Sequence, residues 1–145
     1  ARLAVLAAAL TVVAFNWVFV MRTLPDFERF KPVRPLCERI YADAPAEALV
    51  GYYLYAAPSM VFYLRQQVFE YYQPEELLNA WGAGRAVYCL ILADDYAALK
   101  SQLPPPVTVL ASRPLFQVKL KFILEKKEPP QLLLITNQGG APFAE

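Results

Sequence analysis

The sequence predicts an α/β protein: an N-terminal transmembrane helix followed by a small three-layer domain with a mostly parallel sheet. Two observations carry this. Residues Leu3–Met21, LAVLAAALTVVAFNWVFVM, form an uncharged run in which only Thr11 and Asn16 are polar. Behind it, short apolar runs of strand character alternate with short helical segments, punctuated by the chain's 13 prolines. Such alternation, closed by a pair of strands, is the pattern of a parallel sheet layered by helices.

The first run is long enough to cross a bilayer. At about 1.5 Å per helical residue it reaches roughly 28 Å, against a hydrocarbon core of ~30 Å. Trp17 falls near its C-terminal end, where indole rings favour the headgroup boundary, and Arg2 and Arg22 bracket it. A secretory signal would have a shorter apolar region of about 7–15 residues and a small-residue cleavage site. Here Ala7–Ala9 lie in mid-run, and Met21-Arg22-Thr23-Leu24-Pro25 is a poor site. A core helix would show a polar face, and this one has none. The expected division is residues 1–22 transmembrane, 23–35 a juxtamembrane connector, 36–138 an α/β domain and 139–145 a loose tail. The chain begins with Ala rather than Met, so an upstream portion is expected.

The connector RTLPDFERFKPVR mixes Phe27 and Phe30 with Arg29, Lys31 and Arg34. It suits a segment lying on a membrane surface, basic groups near lipid phosphates; the alternative is a polar linker packed on its own domain. Pro35 is expected to open a helix over Leu36–Ala44, proline being tolerated in a first turn. Ala48–Tyr55, apolar on both faces, reads as a strand covered on both sides. Ala57–Gln66 reads as a short helix with Met60, Val61 and Leu64 inward, and Gln67–Tyr71 as a brief strand. Pro74-Glu75-Glu76 starts the next helix with carboxylates where they complement the helix dipole, and Gly82 and Gly84 end it. Ala86–Ala93, AVYCLILA, is the expected central strand. Asp94 then caps a helix reaching Leu103. Val107–Ser112 and Gln131–Asn137 are expected strands. The alternation in Phe116–Phe122 fits a half-exposed strand or a helix, and EKKEPP a turn.

Composition excludes several function classes. With 14 basic against 13 acidic residues there is no basic stripe of the kind nucleic acid requires, so no nucleic-acid partner is expected. The chain has no histidine, which removes Ser-His-Asp and Cys-His catalysis and the commonest zinc ligand. Cys37 and Cys89 form no CxxC pair; Cys89 reads as a small buried hydrophobe, and the sequence leaves a Cys37–Cys89 disulfide open.

Three features tempt a chemical reading. Trp81-Gly82-Ala83-Gly84-Arg85 looks like a phosphate loop, but such a loop needs its glycines after a strand and before a helix; here the order is reversed, which makes them a helix C-cap. Asp94 and Asp95 follow a strand, where ligands of open α/β sheets gather, yet an Asp there is also an ordinary N-cap. Tyr52, Tyr53, Tyr55, Tyr63, Tyr71 and Tyr72 could stack on sugars, or serve as core and rim with wet hydroxyls. Ser59 and Ser112 lack an activating base. No catalytic, cofactor-binding or metal-ligating residue is assigned.

A membrane helix leading through an aromatic–basic connector into ALVGYYLYAAPSMVFYLRQQV and then AVYCLILADD resembles the C-terminal part of bacterial membrane glycosyltransferases of the protein O-mannosyltransferase and aminoarabinose-transferase type. Ser59–Val68, SMVFYLRQQV, is similar to that family's FYL-(R)-x-x-V passage, and the closing LLLITN to its end. The resemblance implies a multi-pass parent in the bacterial inner membrane. That parent would move a sugar from a polyprenyl-phosphate donor, with scope for a divalent cation. This portion would be an extracytoplasmic, non-catalytic cap that requires no cofactor of its own. The family's catalytic aspartate lies in a loop near the N-terminus of the full protein, and no position here matches it. Implied partners are membrane lipid and the upstream transmembrane part, with Arg29, Lys31 and Arg34 as the residues placed to touch a lipid headgroup. Counting charges alone would put the domain in the cytoplasm, because Arg22, Arg29, Lys31 and Arg34 outnumber Arg2; the family resemblance implies the other side. The alternative is a self-contained, membrane-anchored α/β binding module.

Overall fold

The computed structural model describes residues 2–23, 32–115 and 129–139, and the chain divides into two units, Ala1–Lys31 and Pro32–Glu145. The expected strand at Phe116–Phe122, most of the EKKEPP turn and the tail beyond Gly139 lie outside the described residues.

In the first unit, helix α1 (Arg2–Val18) runs into a π-helical turn at Phe19–Thr23. The span Arg2–Arg22 is long and apolar enough to cross a membrane, and no residue of α1 is buried in protein. Its one hydroxyl needs no outside partner: Thr11 Oγ1 donates to the Ala7 carbonyl at 2.9 Å. Internal satisfaction of this kind lets a polar residue sit in an otherwise apolar helix.

The second unit is a three-layer α/β domain. Its elements in order are α2 (Val33–Asp43), β1 (Leu49–Tyr53), α3 (Ser59–Leu64), β2 (Phe69–Tyr71), α4 (Pro74–Trp81), β3 (Val87–Leu92), α5 (Ala93–Leu99), β4 (Thr108–Pro114) and β5 (Gln131–Thr136). The strands lie in the order β2-β1-β3-β5-β4. β2, β1 and β3 pair in parallel, and β5 runs antiparallel to both β3 and β4. The sheet is therefore mixed: β5 alone points against the other four. β3 is central, as its unbroken apolar run requires.

Period-two alternation sends the strand residues to two cores. Val50, Tyr52, Tyr88, Leu90, Leu132 and Leu134 face α2 and α3, where Leu36, Cys37, Ile40, Met60 and Leu64 meet them. Tyr53, Val87, Cys89, Ile91 and Ile135 face the other way, onto Leu77 and Trp81 of α4 and Leu99 of α5. A bulge between Val109 and Ala111 shifts the β4 register, and both Leu110 and Ala111 join the first core. Cys37 and Cys89 thus lie on opposite sides of the sheet, both buried and both free. Burial raises both thiols, that of Cys37 to about 12 with help from Glu38.

Local expectations change, among them the end of α5, which stops at Leu99 rather than Leu103. α2 begins at Val33, not Leu36, so Pro35 sits inside the first turn with Pro32 at the N-cap. Val61 does not face inward: α3 is six residues long and buries only Met60 and Leu64, while Val61 is 53% exposed. Asp94 is not an N-cap. α5 starts at Ala93 with Leu92 at the cap position and no side-chain cap bond, so Asp94 and Asp95 both lie in the first turn. The chain turns helical one residue early because β3 ends at Leu92 and α5 follows without a loop. By contrast α4 has the capping expected of its sequence: Gln73 and Glu76 form a reciprocal capping box ahead of Pro74.

The position of Asp94 has a measurable consequence. A cap would make Asp94→Asn nearly neutral and Asp94→Ala costly by about 0.5–2 kcal/mol. A first-turn carboxylate acting through the helix dipole makes both substitutions alike, each losing at most about 0.3–1 kcal/mol, less in high salt. Relief of repulsion with Asp95 offsets part of even that. Denaturant unfolding of the two variants at low and high salt is the check, and a clear gap between Asn and Ala would restore the cap.

Candidate functional site

The helix register of α2 decides which of its residues face outward. Val33, Leu36, Cys37 and Ile40 are buried against the sheet, which leaves Arg34, Glu38 and Tyr41 on the open face. α3 does the same on a smaller scale, burying Met60 and Leu64 and presenting Val61, Phe62 and Arg65. Between the two helices opens a groove of about 880 Å³, lined by Arg34, Cys37, Glu38, Tyr41 and Phe62–Arg65. Its aromatic members are unusually open: Tyr41 is 80% and Phe62 78% exposed. The Phe62 ring meets Tyr63 edge-on, centroids 5.6 Å apart.

The polar chemistry of the groove is simple. Arg34 Nε donates to Glu38 Oε1 at 3.1 Å across one turn of α2; exposed i,i+4 pairs of this kind are worth about 0.3–0.5 kcal/mol. Arg65 is the C-cap of α3, with a left-handed φ of 52° and its N–H donated to the Val61 carbonyl at 3.0 Å. The Cys37 thiol is 1% exposed, and with its raised pKa it is inert rather than nucleophilic. Aromatic surface with flanking guanidinium groups can bind and orient; it offers no group for bond making.

Of the residues named from sequence as lipid-headgroup contacts, Arg34 lines this groove, whereas Arg29 and Lys31 lie outside the described residues. Tyr41, Phe62 and Arg65 escaped sequence reasoning. The available signal was Phe62, a large apolar residue out of step with the Met60/Leu64 spacing.

The carboxyl end of β3 carries two adjacent carboxylates, Asp94 and Asp95. β1 leads to α3 on one face of the sheet and β3 to α5 on the other, the strand arrangement beside which ligands of open α/β sheets gather. Asp94 is exposed there and Asp95 half-buried. Burial, then the neighbouring Asp94, raises the Asp95 carboxyl, and burial followed by Asp95 and Glu75 raises the Tyr53 phenol. Among the described residues no group of three or more His, Cys, Asp or Glu side chains is arranged to hold a metal ion.

The tyrosines divide. Tyr52, Tyr53 and Tyr71 are core residues and Tyr55 and Tyr63 half-buried, while Tyr72 is exposed. The Tyr72 hydroxyl donates to Glu70 Oε2. Hydrogen bonding from Tyr52 and Tyr72 holds the Glu70 carboxyl below its usual range. Gly82 and Gly84 close α4, Gly84 with φ +71°, and β3 follows them; a helix end of this kind supplies no N–H cradle for phosphate.

No protein-family model and no curated protein matches the sequence. The fold does recur in solved structures. ArnT from Cupriavidus metallidurans bound to undecaprenyl phosphate matches with a TM-score of 0.52 at 12% identity, over 77% of this chain and 21% of that one. The apo form of the same protein matches with a TM-score of 0.51 at 11% identity, over 81% and 22%. This chain spans about a fifth of the length of those chains. The chain thus joins a helix long and apolar enough to cross a membrane to a fold found in ArnT.

Proposed function

We propose that this chain is the C-terminal, non-catalytic portion of a multi-pass membrane glycosyltransferase that takes a sugar from a polyprenyl-phosphate donor. Its α/β domain caps the membrane-embedded active site on the extracytoplasmic side. The observation that carries the reading is the joint occurrence, in one chain, of an apolar span and a five-stranded mixed sheet of the ArnT fold. The undecaprenyl phosphate in that neighbour supports a lipid-linked donor.

The chemistry agrees with a division of labour. Glycosyl transfer needs a base aligned with the acceptor and a cationic site for the departing phosphate. The donor's apolar tail keeps that phosphate at the bilayer surface, so both groups belong beside membrane helices. Arg29, Lys31 and Arg34 then serve at the rim, as long-range attraction for the headgroup. Any divalent cation would bind in the parent's membrane part.

Transfer assays in membranes test this. The parent protein should move sugar from a polyprenyl-phosphate donor and the isolated chain should not. Replacing Arg29, Lys31 and Arg34 together by Gln should lower the parent's transfer by roughly 30-fold, since each basic group near an anionic surface contributes about 1 kcal/mol, a factor of about five, and Arg34 is partly neutralised by Glu38. Measurable transfer by this chain alone would overturn the proposal and favour a self-contained module.

A further inference from the structure

We infer that the groove between α2 and α3 is a docking surface for anionic lipid headgroups, which lays this face of the domain on the bilayer. The inference rests on the membrane-anchored reading above and adds the surface and the residues that meet the lipid.

Three features of the groove point to a lipid interface. First, Tyr41 and Phe62 project from adjacent helices with four-fifths of their surface in water, and Val61 extends the apolar patch. Aromatic side chains in such a position are the usual occupants of the headgroup boundary. Second, two guanidinium groups, Arg34 and Arg65, line the groove against one carboxylate, Glu38, which leaves it net positive, and planar guanidinium matches phosphate oxygens two at a time. Arg65 has no carboxylate partner among the described residues. Third, the Arg65 backbone is left-handed, at the helix C-cap position where glycine is the usual residue because it avoids the Cβ clash. An arginine there accepts a local conformational cost, which is explained if its side chain is needed in the groove.

Chain connectivity favours lipid as the occupant. Only residues 24–31 separate Thr23, where the apolar helix ends, from Pro32, where the domain begins. A linker of that length reaches at most about 30 Å when fully extended. The covalent link thus bounds how far the start of α2 can stray from the end of the apolar helix. A separate protein would have to compete with a surface present at very high local concentration; the parent's own membrane part is tethered as closely, and the labels below tell the two apart.

The test uses the full chain in lipid nanodiscs. Cys37 and Cys89 are buried and free, so a single exposed cysteine takes an environment-sensitive fluorophore cleanly. Gln66→Cys, beside Arg65, reports on the groove; Ala98→Cys on α5 reports on the opposite face of the sheet. In discs of phosphatidylcholine with phosphatidylglycerol, a nitroxide lipid labelled near its headgroup should quench the fluorophore at position 66 and spare the one at 98. Arg34→Gln and Arg65→Gln should each lower the docked-to-undocked ratio by about fivefold, and Phe62→Ser should lower it further. Discs of phosphatidylcholine alone should show weaker docking.

Equal quenching at 66 and 98 in disc-bound chain would overturn this inference and leave the glycosyltransferase reading standing. Chain that fails to enter discs would overturn both. A label at 66 that is shielded from water in the parent protein but not quenched by lipid would assign the groove to a protein surface instead. Because the substituted side chains are exposed, unchanged thermal unfolding should accompany each variant, so lost docking reads as lost contact.

Discussion

Gly51→Ala should destabilise the α/β domain by about 3 kcal/mol and lower its unfolding midpoint by roughly 10–20 °C. A Cβ built on Gly51 would stand 2.5 Å from the Phe69 carbonyl oxygen and 2.6 Å from Cε2 of Tyr71. The first of these is backbone and cannot swing away. Gly51 pairs with Phe69 in the parallel β1–β2 ladder, so relief requires moving β2 away from β1. β2 is a three-residue edge strand and should give first. Hydrogen exchange should therefore show the amides of residues 69–71 losing protection ahead of those of β3. A midpoint indistinguishable from that of the unaltered chain would mean that the close approach of β2 is wrong.

Asn137→Ala should cost about 2–3 kcal/mol, because it strands a buried donor. Asn137 closes the loop between α4 and β3 from the far end of β5. Its Oδ1 accepts the Val87 N–H at 2.9 Å, and its Nδ2 donates to the carbonyls of Arg85 at 2.8 Å and Trp81 at 3.3 Å. Val87 is fully buried, so its N–H has little access to a replacement acceptor. Asn137→Asp should not rescue. It keeps the acceptor for Val87 but turns a carboxylate toward two carbonyl oxygens, which raises its pKa in the folded state. The penalty of that variant should be largest at neutral pH and shrink as pH falls through the raised value, when the protonated acid can donate again. Parallel unfolding curves at neutral and mildly acid pH are the measurement. Equal stability of the Asp variant and the unaltered chain at neutral pH would show that the amide donors do not matter.

Both residues illustrate what a sequence can carry. Gly51 stands in a strand of aromatic and β-branched neighbours, where a glycine already signals a close backbone approach. Asn137 reads only as the polar end of a final strand, since its partners lie some fifty residues away. Asp94 shows the opposite failure: a residue type suited to capping, displaced by one position because β3 passes into α5 without a loop. The local rule was sound, but the element boundary was set by where the sheet ends.

The sequence by itself determined the uncharged span, the order of helices and strands, the centrality of β3 and the burial of Cys89. These follow from local periodicity and from the cost of placing apolar or charged groups in the wrong solvent. Only the tertiary structure decided that β5 inserts antiparallel between β3 and β4, that the two cysteines lie on opposite faces, and that Arg34, Tyr41, Phe62 and Arg65 share one groove. Strand order depends on which edges can pair after the chain has crossed over the sheet. The groove depends on how two helices, separated by a strand in the chain, are laid side by side when each turns its apolar residues to the same sheet face. Neither relation exists until the layers have packed.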